Sequence, residues 1–137
     1  YTGPIAHVWL DITGDGEVDD AHAFFYNWLS LNSSVAAAGG YYGTAADITT
    51  WMRTYMRGDL LSASILDEAK ETVTAPGLPG TYGLGLIKKT FLGYESFGHG
   101  GDLAYSTNTG FVPECDLNRT VFNNDALLYY KPMKRGN

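Results

Sequence analysis

A histidine set among glycines is the part of this sequence best suited to chemistry. Residues 97–102 read Phe-Gly-His-Gly-Gly-Asp, which places His99 between Gly98 and the pair Gly100 and Gly101. Glycines leave backbone N–H groups uncovered and let a ligand approach the main chain closely. A strand edge of this kind can hold an oxyanion or a carboxylate. A solvent-exposed turn tolerates the same residues, so the surrounding sequence must decide between the two interpretations.

An acidic loop near the N-terminus suggests a different chemistry, the binding of a cation. Asp11, Thr13, Asp15 and Asp19 occupy places 1, 3, 5 and 9 of a calcium-loop pattern, and Glu17 offers its carbonyl between them. Calcium takes six to eight oxygen ligands at ~2.3–2.6 Å, and loops with this spacing supply them. The loop is therefore a candidate calcium site and the only cofactor site that the sequence indicates.

A hairpin turn is the competing interpretation of the acidic loop. Place 12 of the calcium pattern is His22, where a bidentate carboxylate is wanted, and residues 5–10 predict a strand where an EF-hand has a helix. Gly14 and Gly16 suit the positive φ angles of a tight turn. We therefore expect a turn closed by its own hydrogen bonds, with weak calcium binding or none.

Two helices are predicted in the middle of the chain. Thr44 and Asp47 form a capping-box pattern, and Gly58 provides a stop signal. Apolar residues follow at helical spacing and predict a buried face: Ala45, Ile48, Trp51, Met52, Tyr55 and Met56. A second helix is predicted over residues 64–72, because Ser64 and Asp67 repeat the start pattern.

The C-terminal half has the pattern of short strands separated by turn residues. Strands are predicted over 82–88, 94–97, 105–112 and 119–123. Helices followed by consecutive strands indicate an α+β fold, in which an antiparallel meander packs against the helices. A chain of 137 residues is long enough to bury one core.

Composition excludes several classes of function. The chain has 45% hydrophobic and 14% aromatic residues, so it is not a disordered tail. Its 9 basic and 15 acidic residues give a net charge of −6, and no basic face for nucleic acid is seen. No apolar run approaches the ~20 residues of a membrane span. The single cysteine, Cys115, cannot form an intrachain disulfide.

Six short segments in order resemble one protein family. They are residues 39–48, 58–62, 82–85, 99–101, 110–114 and 121–124. The series is similar to the C-terminal part of the serine β-lactamase-like family, which includes class C β-lactamases, D-alanyl-D-alanine carboxypeptidases and related esterases and peptidases. The resemblance covers residues 5–125 and implies the C-terminal portion of the β-lactamase/transpeptidase-like fold.

Two motifs of that family are missing from the sequence. No serine is followed three places later by lysine, and the nearest string to Tyr-x-Asn is Tyr1, Thr2 and Gly3. The resemblance therefore implies that residues 1–137 are a single incomplete domain, a C-terminal segment without its nucleophile. Such a segment alone would be inactive. It would leave apolar surface to be covered by the missing N-terminal half or by a second copy of the chain.

The resemblance also implies roles for the glycine-rich segment. His99 would face the cleft near the reacting carbonyl, Gly100 and Gly101 would continue the strand wall, and the backbone N–H of Asp102 would be one oxyanion donor. Family members with lysine in place of His99 attract the substrate carboxylate. Histidine is mostly neutral at pH 7, because its reference pKa is ~6.5. This difference favours the esterase and peptidase branches over a dedicated β-lactamase.

The function implied by the resemblance is acyl transfer by the complete enzyme, from an amide or ester to serine and then to water. A small acyl substrate and a periplasmic or secreted location in a bacterium follow from the same resemblance. Two alternatives stay open at this point. One is a non-catalytic calcium-binding or interaction module built around residues 11–19, and the other is a structural domain that kept the fold and lost the chemistry.

Overall fold

The structure, a computed structural model, describes residues 6–21, 33–74, 76–77, 80–103 and 105–124. The chain divides into two compact units. The first unit comprises Tyr1–Tyr42, Gly101–Thr107 and Phe122–Asn137, and the second comprises Gly43–Gly100 and Asn108–Val121. Residue 5 of the predicted first strand and His22 lie outside the described residues.

The first unit contains a short hairpin. Strand β1 (Trp9–Leu10) pairs antiparallel with β2 (Asp19–Asp20), so the strand predicted over residues 5–10 is shorter than expected where it is described. The backbone N–H of Trp9 also donates to the carbonyl of Asn124 at 2.9 Å. Val8 and Ala21 flank the hairpin and are fully buried. Two apolar side chains thus anchor the base of the acidic loop.

The acidic loop is closed by its own hydrogen bonds. One carboxylate oxygen of Asp11 accepts from the N–H groups of Gly14 at 2.6 Å and Asp15 at 3.1 Å, and the other accepts from Gly16 at 2.9 Å. The N–H of Glu17 donates to Asp15 at 2.9 Å. This bond, followed by the hydroxyl of Thr13, lowers the pKa of the Asp15 carboxyl.

The hydrogen-bonded loop fits the turn interpretation. Gly14 and Gly16 have φ angles of 78° and 90°, as a tight turn requires. Among the described residues, no group of three or more His, Cys, Asp and Glu side chains is arranged to hold a metal ion. The expectation that this loop binds calcium weakly or not at all stays a prediction.

Helix α1 (Ala45–Arg57) begins and ends where the sequence predicts. The Thr44 hydroxyl accepts the N–H of Asp47 at 3.1 Å, and the Asp47 carboxylate accepts the N–H of Thr44 at 2.8 Å. These reciprocal bonds satisfy two backbone donors that the first turn leaves without partners. Gly58 adopts the left-handed conformation and ends the helix.

The buried face of α1 is narrower than predicted. Met52 and Met56 are buried, but the expectation that Trp51 belongs to the core is wrong, since 53% of it is exposed. Its ring stacks on Tyr55 with the centroids 5.4 Å apart. A six-residue apolar stripe covers more than one helix face, and the flank that carries Trp51 is exposed in this unit.

Helix α2 (Ala63–Lys70) differs from its prediction at both ends. It starts directly after Ser62, so the expected start at Ser64 is wrong, and it ends two residues before position 72. The Ser62 hydroxyl makes no capping bond and lies 3.1 Å from that of Ser64. Asp67 pairs with Lys70 at 2.9 Å instead of capping the helix.

A six-stranded antiparallel sheet follows the helices, in the order of the sequence. Its strands are β3 (Val73–Thr74), β4 (Thr81–Tyr82), β5 (Ile87–Phe91), β6 (Tyr94–Leu103), β7 (Tyr105–Val112) and β8 (Leu117–Asn123). The predicted meander and α+β class are therefore confirmed. The sheet has two strands, β3 and β4, that were not predicted as separate elements.

The strand predicted over residues 82–88 is interrupted by a turn. The N–H of Gly83 donates to the carbonyl of Leu86 at 2.8 Å, and the N–H of Leu84 donates to Ala69 at the end of α2 at 3.2 Å. A Cβ atom on Gly83 would lie 2.4 Å from the Ala69 carbonyl oxygen. The turn brings Leu86 into the core, where only 4% of it is exposed.

The core of the second unit joins both helices to the meander. It consists of the buried residues Met52, Met56, Ala69, Leu86, Phe97 and Phe111, with Tyr55 packed against them. The predicted packing of helix against sheet is thus present. Within the described residues, no helix has the length and apolar character needed to cross a membrane.

An ion-pair cluster also ties α1 to the turn before β8. Both Arg53 and Arg57 donate to the Asp116 carboxylate, and Arg57 makes a second bond through Nε at 3.2 Å. The hydrogen bonds from Arg57, and then those from Arg53, hold the pKa of the Asp116 carboxyl below its usual range. The cluster therefore stabilises the ionised form of Asp116.

We expect Asp116→Asn to remove an acid-sensitive part of the stability. Because the folded pKa is lowered, this stabilisation is present above the unfolded pKa and is lost as pH falls below about 5. The melting temperature of the variant should lie below that of the wild type at pH 7, and the two should converge as the solution is acidified. Asp67→Asn, which breaks an exposed pair, is the control and should change little. Parallel melting curves at all pH values would contradict this role for Asp116.

Candidate active site on the glycine-rich strand

Strand β6 carries all four residues that the sequence analysis singled out, namely His99, Gly100, Gly101 and Asp102. The predicted strand ended at residue 97, but the observed strand continues to Leu103. A glycine-rich segment has weak strand propensity by itself, so pairing with a neighbour in the sheet must stabilise it. The site therefore lies on a sheet strand rather than on a turn.

The pairing of β5 with β6 stops immediately before His99. The register runs from Phe91 opposite Tyr94 to Ile87 opposite Gly98. Strand β6 extends beyond this last pair, so its backbone from His99 onward is not part of the ladder with β5. When a strand continues past the end of its neighbour, its backbone N–H groups on that side are not used in pairing with that neighbour. Backbone N–H groups of this kind can bind an anion.

Gly98 fixes the distance between β6 and β7 beside the histidine. A Cβ atom at this position would lie 2.1 Å from the Thr109 carbonyl oxygen and 2.7 Å from the Cα of Gly110. Both are backbone atoms, which cannot move aside as a flexible side chain can. Glycine is therefore required at position 98 for the two strands to pack as they do, and this packing sets the position of His99.

The His99 ring is held through both of its nitrogens. Nε2 lies 2.9 Å from the hydroxyl oxygen of Tyr82, and Nδ1 lies 2.6 Å from the carbonyl oxygen of Gly100. The rings of Tyr82 and His99 meet edge to face, with centroids 5.7 Å apart and an interplanar angle of 85°. His99 is nevertheless exposed, so a ligand can reach it.

Tyr82 is the partner that the sequence analysis missed. It lies on β4, which pairs with β5, so its hydroxyl reaches a residue two strands away. The segment 82–85 was already part of the family resemblance, but its motif gave no reason to link Tyr82 with His99. Only the register of β4, β5 and β6 brings the two side chains together.

The other two residues of the glycine-rich segment, Gly101 and Asp102, belong to the first unit. Gly101 and Asp102 are both exposed. A Cβ atom on Gly101 would meet nothing within 4 Å, so this glycine is not required by packing there. The absence of a neighbouring atom leaves the backbone at position 101 open to solvent.

Comparison with known proteins identifies the family. A model of the beta-lactamase family matches residues 4–127. No curated protein sequence matches the chain. Solved structures are similar to it as well. A D-stereospecific amidohydrolase from Streptomyces sp. has a TM-score of 0.53 and 32% identity, over 58% of this chain and 25% of that chain.

The second similar structure supports the fold. It is a D-amino acid amidase from Ochrobactrum anthropi SV3 in complex with D-phenylalanine, with a TM-score of 0.60 and 24% identity. The match covers 69% of this chain and 33% of that one. The chain thus spans between a quarter and a third of the length of these two structures. Since the family model covers nearly all of the sequence, the chain belongs to the beta-lactamase family of hydrolases.

Proposed function

We propose that this chain forms one wall of the active site of a serine hydrolase that cleaves an amide or ester by acyl transfer. The observation that carries the proposal is the position of His99, exposed on β6 just beyond the end of β5 and held by Tyr82. A fixed but accessible imidazole on a strand that continues past the end of its neighbour suits a site where a carbonyl reacts.

In the proposed reaction this chain forms one wall of the active site, and a serine outside it is the nucleophile. The serine hydroxyl loses its proton to a base and attacks the carbonyl carbon, which forms a tetrahedral oxyanion. The leaving amine or alcohol takes a proton as its bond to carbon breaks, and an acyl-enzyme remains. Water then repeats the attack and releases the acid. The nucleophile is not in this sequence, because no serine has lysine three positions later.

Strand β6 would stabilise the oxyanion in this scheme. We propose the backbone N–H of Asp102 as one donor and the N–H of the nucleophilic serine as the other. A lost donor of this kind typically costs ~3–4 kcal/mol of transition-state stabilisation. The Asp102 side chain is exposed, and its carboxylate must point away from the oxyanion for the site to work.

The substrate that we propose is an amide or ester of a small acyl group, with D-amino acid amides as the first class to test. The similar Streptomyces sp. structure is titled a D-stereospecific amidohydrolase. Histidine at position 99 adds support, because an imidazole is a weaker fixed charge for a substrate carboxylate than a lysine ammonium group would be. This favours substrates without a carboxylate at that place.

The proposal includes a partner for the apolar surface of α1. Trp51 is 53% exposed on the flank of the helix, next to Tyr55. Tyr55 is half-buried against the core, so the exposed ring of Trp51 is the apolar surface that a partner would cover. We propose that the part of the enzyme that carries the serine covers it, or failing that a second copy of this chain. We also propose that the enzyme is bacterial and is exported to the periplasm or secreted.

Covalent labelling tests whether the nucleophilic serine lies outside this chain. The chain alone should not react with a fluorophosphonate probe or hydrolyse nitrocefin, p-nitrophenyl esters or D-phenylalaninamide, because it has no activated hydroxyl. When it is mixed with a polypeptide from the same protein that carries Ser-x-x-Lys, one probe per complex should attach to that serine. Stoichiometric labelling of a serine within residues 1–137 would overturn the proposal.

A further inference from the structure

The hydrogen bonds at His99 determine where its proton lies. The carbonyl oxygen of Gly100, 2.6 Å from Nδ1, can only accept a hydrogen bond. Nδ1 must therefore be the nitrogen that carries hydrogen. In a neutral imidazole the other nitrogen, Nε2, then has a lone pair and can only accept.

Tyr82 supplies the donor that this tautomer needs. Its hydroxyl lies 2.9 Å from Nε2 and can donate to it. The opposite tautomer would place the Nδ1 lone pair against the Gly100 carbonyl oxygen at 2.6 Å, with no hydrogen between two acceptors. Nε2–H would still find an acceptor in Tyr82, but the clash at Nδ1 would remain. The geometry therefore selects one tautomer and one direction for the bond between Tyr82 and His99.

We propose that the Gly100 carbonyl fixes His99 as the Nδ1–H tautomer and that Tyr82 is a positioning residue that donates to Nε2, in a chain of donors from Tyr82 to His99 to Gly100. The catalytic meaning of this chain rests on the proposed function, but the tautomer does not. Free histidine in water prefers the Nε2–H form, so the protein reverses the ordinary preference. As a result, the donor and the acceptor of both hydrogen bonds at His99 are fixed.

The fixed directions of these hydrogen bonds make the proposed substrate class more specific. When the imidazole is neutral, both of its nitrogens and the Tyr82 hydroxyl proton are used in these two hydrogen bonds. Of the Tyr82 and His99 side chains, the lone pairs of the Tyr82 oxygen are then the polar group left for a substrate. They accept a hydrogen bond and repel a carboxylate. The dyad therefore recognises a substrate N–H or O–H group, as an amide or an amino group offers. A lysine in place of His99 would recognise the opposite kind of group.

Nitrogen NMR of the ¹⁵N-labelled chain tests the assignment without any enzyme activity. Long-range correlations from the ring protons report which nitrogen carries hydrogen, and the spectrum is recorded near pH 8.5, about two units above the reference pKa of histidine. His99→Gln identifies the His99 signals by their loss. Tyr82→Phe removes the donor, and Tyr94→Phe is the matched control, since Tyr94 is an exposed tyrosine at the opposite end of β6.

We expect His99 of the wild type to be mainly Nδ1–H. In Tyr82→Phe the Nδ1–H form should still predominate, because the Gly100 carbonyl selects it, but the resonance of Nε2 should shift, because this nitrogen loses the hydrogen bond that the hydroxyl donates. The tautomer and the Nε2 resonance should both be unchanged in Tyr94→Phe. A mainly Nε2–H wild type, or an Nε2 resonance that Tyr82→Phe does not move, would overturn the assignment.

The backbone amide spectrum of each variant shows whether it is folded. If Tyr82→Phe does not fold, the wild type decides alone, because a mainly Nδ1–H ring supports the assignment and a mainly Nε2–H ring contradicts it. Probe labelling tests the proposed function separately, since it depends on the serine and not on the tautomer. Failure of one proposal is therefore distinguishable from failure of the other.

Discussion

Replacement of His99 by alanine in the complete enzyme is expected to lower kcat/KM about 100-fold, the lower end of the range for a positioned acid–base or hydrogen-bonding side chain. The structure holds the ring on β6 through Tyr82 and Gly100 while leaving it exposed. The ring can therefore contact a substrate without first being ordered. Its loss should affect the transition state more than the binding of the substrate, so most of the effect should be in kcat.

His7→Gln is the matched control for that measurement. His7 is the other described histidine that forms a side-chain hydrogen bond, at 2.7 Å to Asp20 in the hairpin of the first unit. Its replacement should leave kcat/KM within about twofold, because His7 and Asp20 form an exposed pair, and such pairs contribute little. Equal activity of His99→Ala and the wild type, with both enzymes folded, would remove His99 from the site.

We expect the second large effect from Gly98→Ala, which should lower the free energy of unfolding by about 3 kcal/mol or more, the upper end for overpacking. The added methyl group would sit 2.1 Å from the Thr109 carbonyl oxygen. Relief requires β6 and β7 to separate, since no side-chain rotation moves a backbone atom. His99 follows Gly98 directly, so activity should fall together with stability.

Gly101→Ala is the control for the cost of replacing a glycine on the same strand. Nothing lies within 4 Å of a Cβ atom at position 101, so urea denaturation should show a change of less than about 1 kcal/mol. The comparison separates a steric clash from a general effect of glycine on strand flexibility. Equal destabilisation by Gly98→Ala and Gly101→Ala would show that close packing of the two strands is not the cause.

The sequence predicts α1 accurately because its ends are set by local interactions. Thr44 and Asp47 bond to each other within one turn, and Gly58 ends the helix through its own backbone conformation. Neither signal depends on the rest of the fold. The start of α2 was wrong because Ser64 and Asp67 also match a capping pattern, yet Ser62 begins the helix without a side-chain bond. Ser62 has Ile65 three places later and does not match the pattern, so the pattern selects the wrong serine.

The strand predictions failed where a tertiary contact overrides local preference. Residues 82–88 are mostly apolar and predict one strand, but the backbone of Gly83 packs against Ala69 at the end of α2 and forces a turn. In the same way, Trp51 fits the apolar period of α1 and yet lies outside the buried face. The width of a buried face depends on what packs against it, and periodicity carries no information about that.

The candidate site was predictable only in part. His99 stands out because glycines surround it, and the family resemblance gives it a place. Tyr82 could not be linked to it, because the contact depends on the registers of β4 with β5 and of β5 with β6. A one-residue slip in either register would turn Tyr82 to the other face of the sheet. Side-chain partners across strands require the structure.

A crystal structure of the complete enzyme with a phosphonate bound to its serine tests the central claim most directly. The phosphonate oxygen mimics the oxyanion of the tetrahedral intermediate. We predict that this oxygen lies about 2.7–3.1 Å from the backbone nitrogen of residue 102, the geometry of an oxyanion donor. The dyad of Tyr82 and His99 should line the same cleft. An adduct whose oxygen is bound by backbone groups elsewhere, with β6 outside the cleft, would contradict the assignment of this strand to the active site.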